Sequence, residues 1–191
     1  MLNDLFLSKV RVKLLELFFS SPDNIYYVRE IVRTVNEQIN AVRAELNRME
    51  KVGLLTSEWR ANRKYYAVRK DYPFFDELLR LVNKTTRLGG TLIKDRVKLG
   101  KIKYAFLSGS YIRGLKPGGN DVELLLVGVV VIPQLSLIVK EEEAKLGREV
   151  NYTVMSEDEF NFRKTRRDSF VLDLLQRPRM MLIGDEMEMM S

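Results

Sequence analysis

The chain contains no cysteine and no histidine in its 191 residues. The first absence excludes disulfides, thiolate metal centres and cysteine nucleophiles. The second excludes histidine-dependent triads and imidazole acid-base chemistry, and together they remove the ordinary zinc ligand sets. Any reaction is left to carboxylates, Lys, Tyr, Ser and Thr. Long apolar runs are also missing. The most apolar stretch, residues 124–139, is interrupted by Gly128, Pro133, Gln134 and Ser136, which makes it too short and too broken to span a bilayer. No basic, apolar, small-residue signal opens the chain. The expectation is a soluble cytoplasmic protein with no membrane partner.

What is present is charge, unevenly placed. The formal net charge is +6, and residues 1–70 hold 13 basic and 8 acidic side chains against 19 and 18 in the remainder. An excess of cations in the N-terminal third points to a polyanionic partner. Domains commonly run to about 100–150 residues, so a chain of this length builds one or two modest cores, and two is the expectation.

Apolar residues Val10, Leu14, Leu17 and Phe18 recur at helical spacing, predicting a helix over residues 5–19 that Ser20-Ser21-Pro22 ends. Val28, Ile31, Val32 and Val35 mark a second helix. Val35-Asn36-Glu37 then turns into a third that carries Ile39, Val42, Leu46, Met49 and Val52 on one face and stops at Gly53. Two β-rich segments, residues 54–59 and 65–68, flank the polar tip Arg60-Ala61-Asn62-Arg63-Lys64 and read as a hairpin. The third helix leaves Asn40, Arg43, Ala44 and Asn47 on its outer face, a short polar surface suited to a major groove. Arg60, Arg63 and Lys64 at the hairpin tip are placed to meet phosphates.

Helix, helix, helix, hairpin is the order of a winged helix. The phrases Tyr27-Val28-Arg29-Glu30-Ile31, Ala41-Val42-Arg43-Ala44-Glu45-Leu46 and Met49-Glu50-Lys51-Val52-Gly53-Leu54-Leu55 resemble the winged helix-turn-helix of ArsR-like transcriptional regulators. The resemblance covers roughly residues 8–70 and implies double-stranded DNA as partner, bound by a homodimer. The family's metal-sensing sites do not carry over, because the Cys and His they use are absent. Winged helices also serve as protein adaptors, and that reading stays beside the first.

Past Pro73, the residues Phe74, Phe75, Leu78, Leu79, Leu81 and Val82 predict a helix to about residue 88, where Gly89-Gly90 interrupts it, and residues 91–99 form a second piece. This connection either pairs two subunits or packs between the two domains. From residue 80 to 116 there are ten basic residues and one acidic one, Asp95. Such a run attracts nucleotide phosphates, extends a DNA surface or forms a solvated face.

The second half carries the sharper chemical pattern. Gly109-Ser110 forms a small-residue turn into a short helix, and Asp121-Val122-Glu123 follows eleven residues after Ser110 at the head of an apolar run. On a strand over residues 121–129, Asp121 and Glu123 share one face, opposite Val122, Leu124 and Leu126. Paired carboxylates suit Mg²⁺ together with the phosphates of a nucleotide, and backbone N–H groups after the turn meet those phosphates. The alternative is a plain turn and a solvated strand end. Strands over residues 102–107, 121–129, 149–154 and 180–183 alternate with helices, the last of these over 157–164 and 169–175, as in a small mixed α/β unit.

Phe106-Leu107-Ser108-Gly109-Ser110-Tyr111-Ile112-Arg113-Gly114, with Asn120-Asp121-Val122-Glu123-Leu124-Leu125-Leu126-Val127-Gly128, resembles the minimal nucleotidyltransferase domain of the DNA polymerase β superfamily. The likeness covers about residues 95–185 and extends into Leu146-Gly147-Arg148-Glu149-Val150-Asn151-Tyr152, Phe160 and Leu182-Ile183-Gly184-Asp185. It implies Gly109, Ser110 and Arg113 on a nucleoside triphosphate, Asp121 and Glu123 on Mg²⁺, and a third carboxylate that activates the acceptor hydroxyl. The third position holds Asn151, a neutral ligand and a poor base. Glu149, two residues earlier, is the substitute catalytic candidate.

The expected fold class is therefore α+β: a winged helix over residues 1–72, connecting helices over 73–100, and a nucleotidyltransferase-like unit over 101–191. The leading functional expectation is a DNA-binding regulator whose second domain senses nucleotide or serves as a scaffold. An active Mg²⁺-dependent nucleotidyltransferase using Asp121, Glu123 and Glu149 is the rival, and an antitoxin-like or adaptor protein is the third reading.

Overall fold

The computed structural model describes residues 8–118 and 121–191. Residues 5–7 of the expected first helix, and Gly119 and Asn120 of the loop before Asp121, lie outside the described residues. The fold is α+β and divides into two compact units, Met1–Thr85 and Thr86–Ser191. The first connecting helix thus belongs to the N-terminal unit and the second to the C-terminal one.

In the N-terminal unit, α1 (Lys9–Ser20) begins at Ser8, whose Oγ accepts the Arg11 N–H at 3.2 Å, and it buries Val12, Leu14, Leu15, Phe18 and Phe19. A two-residue strand β1 (Tyr26–Tyr27) leads into α2 (Val28–Val35), and α3 (Ile39–Lys51) follows. Asn36 makes the turn between them at φ 50° and ψ 57°, the left-handed region that Asn tolerates better than most residues. Lys13 of α1 donates from Nζ to the Val35 carbonyl at 3.0 Å and to Glu37 at 2.7 Å, placing a cation at the negative end of α2. Strands β2 (Leu55–Arg60) and β3 (Arg63–Val68) pair antiparallel around Ala61-Asn62, in a sheet of order β1-β3-β2. The hairpin is longer than the sequence predicts, since Arg60 and Arg63 face each other as the last ladder pair.

Helix α4 (Phe75–Thr85) buries Phe75, Leu79 and Val82 and packs on α1, with the Phe19 and Phe75 rings 5.5 Å apart.

The C-terminal unit begins with α5 (Arg87–Lys94), so the helix break falls at Thr86-Arg87, where Arg87 has φ 52°, and not at the glycine pair. Gly89 and Gly90 lie buried inside α5. Glycine inside a helix costs about 1 kcal/mol, which burial of the flanking Leu88 and Leu92 offsets. The remaining elements are β4 (Gly100–Ser108), α6 (Gly109–Ile112), β5 (Leu124–Val130), α7 (Ile132–Leu146), β6 (Tyr152–Met155), α8 (Glu157–Thr165), α9 (Ser169–Gln176), β7 (Arg179–Ile183) and α10 (Glu186–Met190). The sheet order is β6-β5-β4-β7, with β5 and β6 parallel across α7 and the other pairs antiparallel.

Both faces of this sheet are covered, which is why β5 reads as a continuous apolar run. Tyr104, Phe106, Leu125 and Val127 form one core with Phe160 of α8, Val171, Leu174 and Leu175 of α9 and Met189 of α10. Ala105, Leu107, Leu124 and Leu126 alternate onto the other face and are also buried. Gly128 sits at φ 137° beside an irregularity between Ile102 and Tyr104 of β4, and a Cβ there would lie 2.3 Å from the Lys101 carbonyl oxygen. The crossing of the two backbones requires glycine.

The strands that carry the acidic residues start later than the sequence predicts: β5 at Leu124, not residue 121, and β6 at Tyr152, not residue 149. The N–H groups of Glu123 and Leu124 both donate to the Asn151 carbonyl, at 2.7 and 3.2 Å. Two successive donors on one acceptor form a bulge-like irregularity. Its effect is visible at Val122, which packs against the same core as Leu125 and Val127. Strict alternation would have set Val122 with Leu124 and Leu126.

Candidate functional site

Two regions carry the residues singled out by sequence. In the N-terminal unit a groove of about 470 Å³ runs between α3 and the β2–β3 hairpin. Arg43 and Asn47 line it from α3, Arg29 from α2, and Asn62, Arg63 and Lys64 from the hairpin. Helix α3 presents Asn40, Arg43 and Asn47 outward because Val42, Leu46 and Met49 take the core face of its 3.6-residue period. Glu45 is buried on that inner side and holds Arg11 and Arg48 at 2.9 Å each. The guanidinium of Arg43 is exposed, and among the described residues no carboxylate pairs with it.

The hairpin cations differ in their freedom. Arg63 is exposed and lies over the Tyr27 ring, 5.0 Å from its centroid. Arg60 pairs with Glu58 and lies over Tyr65. Lys64 donates to Glu50 of α3 at 2.8 Å and sits over the Tyr66 ring, so its charge fastens the hairpin to the helix. The hydroxyl of Ser57 binds the same Glu50 carboxylate. Hydrogen bonds from Lys64, then Ser57, hold the Glu50 carboxyl below the usual glutamate range.

A carboxylate whose folded pKa is depressed stabilises the fold fully above its unfolded value and loses that contribution as pH falls through the folded one. The melting temperature of the N-terminal unit should therefore begin to fall below about pH 4.3, the ordinary glutamate value. Glu50→Gln should remove part of that acid-side slope, which thermal melts across pH will measure.

The second region surrounds α6. Ser108 caps this short helix, its Oγ accepting the Tyr111 N–H at 3.2 Å, and the Ser108 and Ser110 hydroxyls bond at 3.0 Å. The Gly109 N–H donates to the Pro178 carbonyl at 2.7 Å, and a Cβ on Gly109 would stand 2.9 Å from the Pro178 Cβ. Gly109 thus locks α6 against the turn before β7, and its amide is already engaged. Gly109→Ala should destabilise the C-terminal unit by about 1–3 kcal/mol through overpacking, read as an earlier denaturant midpoint whether or not nucleotide is added. Arg113 is exposed at the end of α6.

Both candidate metal ligands face arginines. Glu123 is fully buried, and its two carboxylate oxygens accept from Arg148 NH1 and NH2 at 2.8 and 2.7 Å. The Asn151 N–H adds a longer bond at 3.3 Å. Asp121 lies in the loop before β5; it accepts the Gly118 N–H at 2.8 Å and pairs with Arg177, which also holds Asp173 at 2.9 Å. The Arg177 hydrogen bond, then that of Gly118, keeps the Asp121 carboxyl below the ordinary aspartate range. Glu149 is exposed, its carbonyl accepting from Arg148.

A further buried pair lies alongside: Glu142 of α7 accepts from Arg87 and from the Tyr111 hydroxyl, both at 2.9 Å. Burial first, then the Glu142 charge, pushes the Tyr111 hydroxyl far above its usual range. Each buried glutamate therefore has its own arginine, and the network is neutral. In this arrangement neither carboxylate is open to Mg²⁺, because the bidentate guanidinium of Arg148 holds both Glu123 oxygens and Arg177 pairs with Asp121.

The sequence pattern does not mark Arg148, Arg177, Trp59 or Asn62 as site residues. Arg148 lies within Gly147-Arg148-Glu149, where a basic residue so close to an acidic one is the available signal. Nothing local marks Arg177, 56 residues from Asp121. Comparison of the chain with protein-family models, with curated proteins and with solved structures finds no match.

Proposed function

We propose that the protein is a DNA-binding transcriptional regulator in which the N-terminal unit acts as a winged helix and the C-terminal, nucleotidyltransferase-like unit is a scaffold without transfer activity. The observation that carries the first half is the groove between α3 and the hairpin, where Arg29, Arg43 and Arg63 converge with two amides and, among the described residues, no carboxylate lines the walls. Exposed guanidiniums on a helix and on a hairpin flanking one groove supply base-edge and phosphate contacts respectively. Lys64, tied to Glu50, is a brace between the two and contributes less to DNA than Arg63.

For the second half, the support is electrostatic. Metal-assisted transfer of a nucleotide calls for carboxylates free to hold the metal, whereas Glu123 and Asp121 are matched by Arg148 and Arg177. Calorimetric titration with ATP and GTP, with and without Mg²⁺, tests this half. The expected result is no metal-dependent heat and no transferred nucleotide by mass spectrometry; transfer would restore the enzyme reading. For the first half, anisotropy titrations of duplex DNA over a range of salt should show affinity falling steeply as salt rises. Salt-insensitive or absent binding would leave the N-terminal unit as a protein adaptor.

A further inference from the structure

We infer that the groove between α3 and the hairpin accepts an unpaired nucleotide, with its base stacked on Trp59; this rests on the nucleic-acid reading above and specifies what that site holds. Trp59 is the only tryptophan in the chain and is 69% exposed. An indole left this open is unusual for a side chain of its size and calls for a partner.

Its direction narrows the partner. Trp59 pairs with Lys64 across the hairpin, and Ser57 with Tyr66, so these four side chains share one face. That face is turned toward α3, because Ser57 and Lys64 both bind Glu50. The indole therefore overhangs the groove together with Arg43 and Asn47, beyond the point where Lys64 fastens the hairpin.

The size and chemistry of the groove agree. Its volume of about 470 Å³ lies within the range of roughly 300–1,000 Å³ typical of small-ligand sites. An aromatic face stacks on any base, and the amides of Asn47 and Asn62 offer paired donors and acceptors to a base edge. Arg29 and Arg63 supply the charge a phosphate needs. In an intact duplex the base faces are hidden by their neighbours, so the indole gains stacking only from a base that has left the stack.

The test uses the 191-residue chain, in which fluorescence excited at the red edge of the indole band, beyond tyrosine absorption, reports on Trp59 alone. Three labelled oligonucleotides of the same sequence are compared: a perfect duplex, that duplex with one extra unpaired base, and the single strand. Binding is followed by indole quenching and independently by anisotropy of the label. The expected result is strong quenching by the bulged duplex and the single strand and little by the perfect duplex. Trp59→Ala should weaken the first two by roughly 5- to 150-fold, the range of one base–aromatic stack, and the perfect duplex far less, while Trp59→Phe retains part of the preference. Because the side chain is exposed, these variants should keep the wild-type circular dichroism and melt. Equal quenching by all three ligands, or an equal loss for all three in Trp59→Ala, overturns the inference while leaving DNA binding intact. No binding to any of the three overturns both.

Discussion

Replacing Arg148 with methionine should destabilise the C-terminal unit by about 3–5 kcal/mol, the usual cost of stranding one partner of a buried ion pair. Glu123 is fully buried and depends on Arg148 for a bond to each carboxylate oxygen. Without the guanidinium, among the described residues only the Asn151 N–H at 3.3 Å remains on that carboxylate. A second variant separates the ion pair from simple loss of packing. Arg148→Met combined with Glu123→Gln removes both charges, and most of the lost stability should return, because a neutral amide tolerates burial far better than an unpaired carboxylate. Millimolar Mg²⁺ should not rescue the single variant. Urea melts of the three proteins, with and without Mg²⁺, give the answer. Rescue by Mg²⁺ would mean that Glu123 is a metal ligand once its arginine is removed; an unchanged melt for the single variant would mean that the pair contributes nothing to the fold.

The second large effect belongs to the groove. Arg43→Ala should cost about 1–3 kcal/mol on a preferred DNA site and much less on other sequences, since a guanidinium on a base edge discriminates. Arg63→Ala should weaken every duplex alike and lower the salt slope by about 1. The two residues sit on different elements, α3 and β3, so their effects should be close to additive if the groove only frames the DNA. Lys64→Ala is the control. Its ammonium is held by Glu50 at 2.8 Å, and the expected change is a less firmly docked hairpin with little change in salt slope. Anisotropy titrations over several salt concentrations resolve all three. Equal binding by wild type, Arg43→Ala and Arg63→Ala would remove the DNA-reading model.

Much of the N-terminal unit was legible because its signals are local. Helical spacing of Val42, Leu46 and Met49 fixes which face of α3 is buried, and that leaves Asn40, Arg43 and Asn47 outward. Asn36 announces its own turn through a conformation few other residues accept. The helix break at Thr86-Arg87 was missed because Gly89-Gly90 is the stronger local breaker, and burial of Leu88 and Leu92 outweighs a propensity of that size.

The acidic pair shows where local reading ends. Two carboxylates at alternate positions imply a shared face only if the strand is regular through both. Here the strand begins at Leu124, and Glu123 and Leu124 share one acceptor on a chain segment 28 residues away. The guanidiniums that neutralise Asp121 and Glu123 come from 56 and 25 positions along the sequence. By itself the sequence determined the order of the main helices and strands, the inner positions Val42, Leu46 and Met49 of α3, and the absence of thiol and imidazole chemistry, because each follows from residue type and short-range period. Only the tertiary structure decided which charges meet. The state of a buried carboxylate is set by whatever cation the fold brings within about 3 Å, and no period in the chain encodes that distance.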